Sequence, residues 1–334
     1  MHLVVSGSGQ LGTVLVRQLV GAGTPVRAFV RPMSQYRHLV GSGAELAFGD
    51  LRDAGSVRAA MTGADIVLAT ANGAAPRHGD THDSADAGYQ TLISEAADQG
   101  VKRFVFSSVP VSSVDDQVPT FRAKRQTEKV LMASSLPSTI LRCAPFMEVW
   151  LAFPGSSIPS RGEENPTVDR PYPFMRRFRG LTGTAIEDKG RMTVNGRASL
   201  RNAFVSLHDV ARLMIAAAEH PLTRNQVFDV GGPEMLTWDE VAAVYSEVLG
   251  RPVKVSTLPP GLFRGMQQVL RPFAPAASNV MGMNYLIGIS ETPWDSNELA
   301  RLVGVGKLRT VRDFLTEKAA LPEPTYDGSQ DHDS

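Results

Sequence analysis

Two groups of residues carry types and spacing that could do chemistry. The first is Gly7, Gly9 and Gly12 in "GSGQLG", a G-x-G-x-x-G run close to the start of the chain. The second is Lys124 in "TFRAKRQTEKV", with Thr120 four residues before it. Glycines at that spacing let a backbone turn tightly and let a pyrophosphate approach the main chain. They also let a helix pack against the preceding strand with its N–H groups aimed at the phosphate. Residues four apart share a helix face, so Thr120 and Lys124 would point the same way.

The glycine run has the context it needs. "HLVVS" precedes it as an apolar strand, and Leu11, Val14, Leu15 and Leu19 follow at helical spacing. Strand, glycine turn and helix in that order indicate dinucleotide binding, with Gly7, Ser8, Gly9, Gln10, Leu11 and Gly12 forming the phosphate loop. A site for the unphosphorylated ribose would place Asp or Glu about 20 residues beyond the glycines. No acidic residue occurs from Thr13 to Ala44, and Arg31 stands at the end of the second strand, "PVRAFVR". A guanidinium suits a 2′-phosphate, so the expected cofactor is NADP(H).

The same rhythm continues. "AELAFGDL", "ADIVLATANG", "VKRFVFSSV" and "STILRCAPF" read as further strands, with helices at "VRAAM", "TLISEAADQG" and 120–133. Alternation without tight hairpin signals predicts an α/β fold: a Rossmann-type, doubly wound parallel sheet. Ligands in such sheets lie beyond the carboxyl ends of the strands. Those ends are Arg31, Asp50–Leu51, Ala71–Asn72–Gly73, Ser107–Ser108 and Ala144–Pro145–Phe146.

Composition excludes little but points one way. Lys+Arg and Asp+Glu both number 34 in 334 residues. That balance gives no electrostatic case for nucleic acid or an anionic membrane. The single cysteine, Cys143, precludes an intrachain disulfide and fits a reducing compartment. No leader and no membrane span are visible, so the expectation is a cytoplasmic protein with a small-molecule substrate, a monomer or homodimer.

Taken together, "GSGQLG", "VRAFVRP", "GDLRDAGSVRAAMTGADIVL", "GVKRFVFSSV", "AKRQTEKVLMASSLPSTILR" and "FVSLHDVARLMIAAAEH" resemble the atypical short-chain dehydrogenase/reductases. They are most similar to NmrA-like NAD(P)-binding proteins and to relatives of the nucleotide-binding accessory subunit of respiratory complex I, over about residues 1–250. The resemblance implies that Asp50 and Leu51 flank the adenine and that Lys124 bonds the nicotinamide ribose. Glu128 would share the Lys124 helix face, and Ala144, Pro145 and Phe146 would border the nicotinamide. Members with the usual catalytic set carry Tyr-x-x-x-Lys, in which the tyrosine is the general acid. Here Thr120 occupies the tyrosine position, so Lys124 can anchor cofactor while the usual proton donor is missing. The alternative is that Thr120 caps a helix and Lys124 is a surface charge.

Other candidates are weaker. "HGDTHDSADAG" (78–88) holds His78, Asp80, His82 and Asp83; a substrate-covering loop is expected there and no metal site, with His82 or His78 as a speculative proton donor. Ser107 and Ser108 could bind a substrate carbonyl. "RPYPFMRRFRG" (170–180) suits a substrate-side loop or partner surface. The Met-rich stretch 263–288 could be a lid over a hydrophobic substrate, core, or a subunit interface. In "TWDEVAAVYSEVLG", Thr237 and Glu240 match a capping box and Gly250 a helix end. The expected division is a cofactor domain at 1–150 with a return segment at 203–232. A smaller discontinuous substrate domain takes 151–202 and 233–320, and 321–334 is a disordered tail. The expected activity is NADPH-dependent reduction of a small hydrophobic carbonyl, enone or quinone. The alternative is a non-catalytic NADP(H)-binding sensor or assembly protein.

Overall fold

The computed structural model describes residues 1–71, 84–169, 182–292 and 297–323. Seven parallel strands form the main sheet: β1 (His2–Val5), β2 (Val26–Val30), β3 (Glu45–Phe48), β4 (Ile66–Ala69), β5 (Arg103–Ser108), β6 (Ser138–Cys143) and, after an excursion, β8 (Gln226–Val230). Their order is β3-β2-β1-β4-β5-β6-β8. The chain therefore winds outward in both directions from the β1–β4 junction, where a ligand crevice opens.

Alternation within each strand explains why both faces are covered. Val4 and Val105 enter one core with α1 (Gln10–Gly21) and α7 (Leu207–Glu219), through Leu15, Val210 and Met214. Leu3, Val5, Phe104 and Phe106 enter the opposite core, which draws on α2 (Ala54–Met61), α3 (Ser84–Asp98) and α4 (Pro119–Ala133). Side chains two apart share a face, so strands apolar throughout must be buried on both sides.

Beyond β6, α5 (Met147–Trp150) and α6 (Ala185–Lys189) lead to β7 (Arg191–Asn195), which pairs in parallel with β9 (Lys254–Leu258) as a separate two-stranded sheet. A third core joins Met147, Leu151, Met192, Trp238, Tyr245 and Phe314 around α8 (Trp238–Leu249) and α12 (Val311–Ala319). The Thr237–Glu240 capping box is formed, and Gly250 closes α8 at φ 65°. The Met-rich stretch makes α9 (Pro260–Leu270) and α10 (Pro275–Ile287); α11 (Asn297–Leu302) follows.

Two local expectations need correction. The helix read from residue 91 starts at Ser84, so part of the expected 78–88 loop is helical. Gly88 explains the fit: a Cβ there would stand 2.8 Å from the Leu51 Cβ, so α3 rests directly on the chain after β3. Thr120 does not cap α4. Val118 is the N-cap and Pro119 opens the helix, a position where its missing N–H costs nothing.

Candidate functional site

The phosphate end is made by backbone. A Cβ on Gly12 would lie 2.2 Å from the Ser6 carbonyl oxygen, so only glycine lets α1 start this close to β1. Gly7 serves differently from expectation. Its own φ is not left-handed; Ser6 takes that conformation at φ 63°, a cost of about 1 kcal/mol. A Cβ on Gly7 would meet the Ala28 Cβ of β2 at 2.7 Å. No side chain caps α1 and no acid occupies its first turn, which leaves its N-terminus suited to an anion. Gln10 is buried, and its Nε2 has no acceptor among the described residues. Bare helix N–H groups, a loop cleared of Cβ atoms and an unsatisfied amide together fit a dinucleotide pyrophosphate.

Arg31 follows β2, and its backbone carbonyl accepts from the Ser34 N–H (2.9 Å) and Oγ (2.6 Å). The Ser8 hydroxyl in turn donates to Ser34 Oγ at 3.0 Å. Ser34 thus ties the phosphate loop to the Arg31 turn, a role no motif announced. Asp50 sits close enough for the Arg31 charge to act on it, but Arg52 grips its carboxylate with two hydrogen bonds of 2.8 Å. That hydrogen bonding holds Asp50 at about 2. Arg52 thus gives Asp50 a counter-charge beside the Arg31 turn.

A strap from the second half lies across this loop. Asn165 Nδ2 donates to the Ser8 carbonyl at 2.6 Å, and the Thr167 N–H donates to Gln10 Oε1 at 2.9 Å. Arg17 of α1 pairs with Glu164 at 2.8 Å. The strap is anchored through Glu163, which takes Lys318 of α12 at 2.6 Å and His208 at 3.1 Å. Burial raises the Glu163 carboxyl, but its hydrogen bond to His208 and the Lys318 ammonium outweigh this and hold it at about 2. Glu148 joins the group, and burial together with the Glu163 charge raises it. Glu148, Glu163 and His208 have ligand atoms within 4.8 Å of one another, but a buried ammonium already balances Glu163. The cluster reads as an electrostatic clasp.

The other end is made by buried side chains. Lys124 is only 6% exposed, which removes the surface-charge reading. Its Nζ donates to the carbonyls of Ala71 (2.9 Å) and Ser107 (2.7 Å), at the ends of β4 and β5. It lies over the Phe106 ring at 4.5 Å, and burial lowers it to about 7. Tyr89, which sequence reasoning missed, donates from α3 to the same Ala71 carbonyl at 2.8 Å. Burial raises that phenol. Tyr89 thus places a buried hydroxyl on the carbonyl that Lys124 also uses, with no spacing signature to reveal it.

Thr120 points toward α10. Asn279 Nδ2 donates to Thr120 Oγ1 at 2.5 Å, and the Thr120 N–H donates to Asn279 Oδ1 at 3.3 Å. The Met-rich stretch thus closes over the helix that carries Lys124. Glu128 is buried on that helix face, held by Arg142 (2.8 Å) and Arg125 (2.7 Å) and accepting from the Ser108 hydroxyl at 2.5 Å. Ser108, 2% exposed and bonded to Glu128, is not placed to meet a substrate carbonyl. Ser107 is also buried, and it is its backbone carbonyl that reaches Lys124. Ala144–Phe146 are pinned at the end of β6: Ala144 N–H donates to the Val230 carbonyl, and Val205 N–H to the Pro145 carbonyl. Asn72, Gly73, His78 and His82 lie outside the described residues, as does the 170–180 stretch.

One turn beyond Phe146 lies a cavity of about 60 Å³. Trp150, Phe153, Trp238, Phe263, Asn195 and Asn284 line it.

Fold and site together define a doubly wound α/β protein of the Rossmann type with an anion-ready glycine loop and a buried lysine across the crevice. The chain belongs to the NmrA-like family, whose profile matches residues 2–294. It is 28% identical over 257 residues to an NAD(P)H azoreductase of Xenophilus azovorans, covering 76% of each chain. It is 25% identical over 260 residues to the photosystem II assembly factor Ycf39 of Cyanophora paradoxa, covering 77% of this chain and 71% of that one. Its fold matches a crystal structure of an NADPH-dependent quinone oxidoreductase from Escherichia coli, with a TM-score of 0.68, 18% identity and coverage of 95% and 99%. No helix among the described residues is long and apolar enough to cross a membrane.

Proposed function

We infer that this protein is an NADPH-dependent reductase of a small hydrophobic carbonyl, enone or quinone. The observation that carries the reading is the buried Lys124, fixed on two strand-end carbonyls in a crevice whose other end has an uncapped helix and Arg31. The oxidoreductase relatives support it: the azoreductase in sequence and, for the fold, the quinone oxidoreductase.

Each part of the chain has a task. The α1 N-terminus and the glycine loop hold the pyrophosphate, and Arg31 meets the 2′-phosphate. Asp50 and Leu51 flank the adenine, and Ala144–Phe146 wall the nicotinamide. Bound NADPH supplies the hydride. A lysine ammonium has three N–H donors, the two carbonyls take two, and we assign the third to ribose or substrate. With its ionisation near neutrality, Lys124 can also surrender a proton to the reduced oxygen, which supplies the acid that Thr120 does not. We assign 1–150 and 203–232 to the cofactor half, and 151–202 and 233–320 to the substrate half.

The test is a panel of quinones, enones and ketones added to protein and NADPH, followed at the reduced cofactor's absorbance. Accelerated oxidation that falls as pH rises through about 7 supports the reading. A second reading, a non-catalytic NADP(H)-binding assembly protein, draws on Thr120 at the usual tyrosine position and on the assembly-factor relative. NADPH binding with no acceptor able to speed its oxidation would favour it.

A further inference from the structure

We propose that the exposed face of α9 pairs with the same face of a second copy of this chain, the two helices running antiparallel about a two-fold axis. Leu262, Met266 and Val269 of α9, with Phe273 in the turn that follows, are between 40% and 85% exposed. Their spacing of four, three and four residues keeps all four on one stripe of the helix, about 16 Å long. Contiguous exposed apolar side chains of this kind mark an interaction surface.

Three features of the stripe point to a second copy. The first is its symmetry: the spacing reads the same from either end. In a two-fold antiparallel pair, Leu262 meets the partner's Phe273 and Met266 meets the partner's Val269, and each contact occurs twice. The second is the absence of charge. No acidic residue occurs in α9, and helical spacing puts Arg264 and Arg271 about half a turn away from the stripe. Arg264 is turned toward α10, its guanidinium over the Tyr285 ring at 5.6 Å. Two copies therefore meet without like-charge repulsion, whereas an anionic lipid surface would find no cation beside the apolar side chains. The third is Gly265, in the middle of the helix, with Gly261 one turn before it. A Cβ on either would meet nothing within 4 Å. The single chain gives no steric reason for a residue that destabilises a helix relative to alanine, and a second backbone approaching closely does.

The stripe belongs to the hairpin that closes over the Lys124 helix. Gln267, on the buried face of α9, donates from Nε2 to the Gln117 carbonyl just ahead of α4 at 2.7 Å, and Ser278 Oγ of α10 donates to the Gln267 carbonyl at 2.8 Å. The second copy would thus rest on the element that also holds Thr120. The inference stands apart from the reductase reading.

Sedimentation velocity on the full chain tests it. A contact of three helical turns is smaller than a standard interface of ~800 Å² per partner, so a reversible dimer with a Kd on the order of 10 µM is expected. Met266→Lys and Val269→Glu, both at exposed positions, should each leave the melting curve in place and weaken association about 10-fold or more, because each buries an unpaired charge twice. Mixed in equal amounts, the two variants should recover most of that loss, since the antiparallel register brings the introduced ammonium onto the introduced carboxylate. Gly265→Leu enters open space in the single chain and should weaken pairing about 10-fold without lowering the melting temperature. A monomer at every concentration, a dimer that neither charged variant weakens, or a mixture no better than its parts overturns the proposal. Binding to anionic vesicles that Val269→Glu abolishes, with no dimer formed, overturns it in favour of a lipid surface.

Discussion

The two ends of the crevice are built from different materials. At the phosphate end the backbone does the work: missing Cβ atoms at Gly7 and Gly12, an uncapped helix, and a left-handed Ser6. At the lysine end, side chains from α3 and α4 meet the Ala71 and Ser107 carbonyls in the interior, and Asn279 of α10 holds Thr120 beside them. A backbone site tolerates few residue types and is rigid. A side-chain site can be retuned, since burial, more than any neighbouring charge, moves Lys124 to about 7.

The sharpest way to break the phosphate end is Gly12→Ala. Its Cβ would overlap the Ser6 carbonyl at 2.2 Å and force α1 off β1. Overpacking of this kind should cost about 3 kcal/mol and abolish cofactor binding, as seen in denaturant titrations and calorimetry. Stability unchanged within about 0.5 kcal/mol would show that the loop is looser than described.

The lysine end answers to pH. The folded Lys124 titrates near 7 and the unfolded one near 10.5, so between those values the unfolded chain binds more protons. Its contribution therefore makes stability rise with pH through this window, by at most about 1.4 kcal/mol per pH unit, and level off above it. Lys124→Met should remove that slope. A wild-type slope that persists in the variant would assign the titration elsewhere.

These two ends also explain what could be read in the sequence. Glycine spacing, strand–helix alternation and the capping box of α8 are local signals, and the sheet, the phosphate loop and that cap follow from them. Lys124 stood out because the family resemblance places a cofactor-binding lysine there. Its true partners did not, because Ala71 acts through its carbonyl and Tyr89 and Asn279 come from distant helices. Nor could the sequence choose between the two readings of Thr120, the tyrosine position or a helix cap, because its partner Asn279 lies 159 residues away. The strap over Ser8 left no signal either, since Asn165 sits in an irregular stretch rich in proline, glycine and charge.

A smaller effect sharpens the contrast from the phosphate side. Asn165→Ala removes the strap's amide bond to the Ser8 carbonyl. It should change NADPH affinity about 3- to 10-fold and leave the Lys124 slope in place. A change in the slope would mean that the two ends are coupled.

The most direct test of the account is calorimetry of NADPH and NADH against the unmodified chain and Arg31→Ala. The account predicts that wild type binds NADPH at least about 10-fold tighter, and that the variant loses most of this preference. Equal or tighter capture of NADH by wild type, or no binding of either, would contradict it.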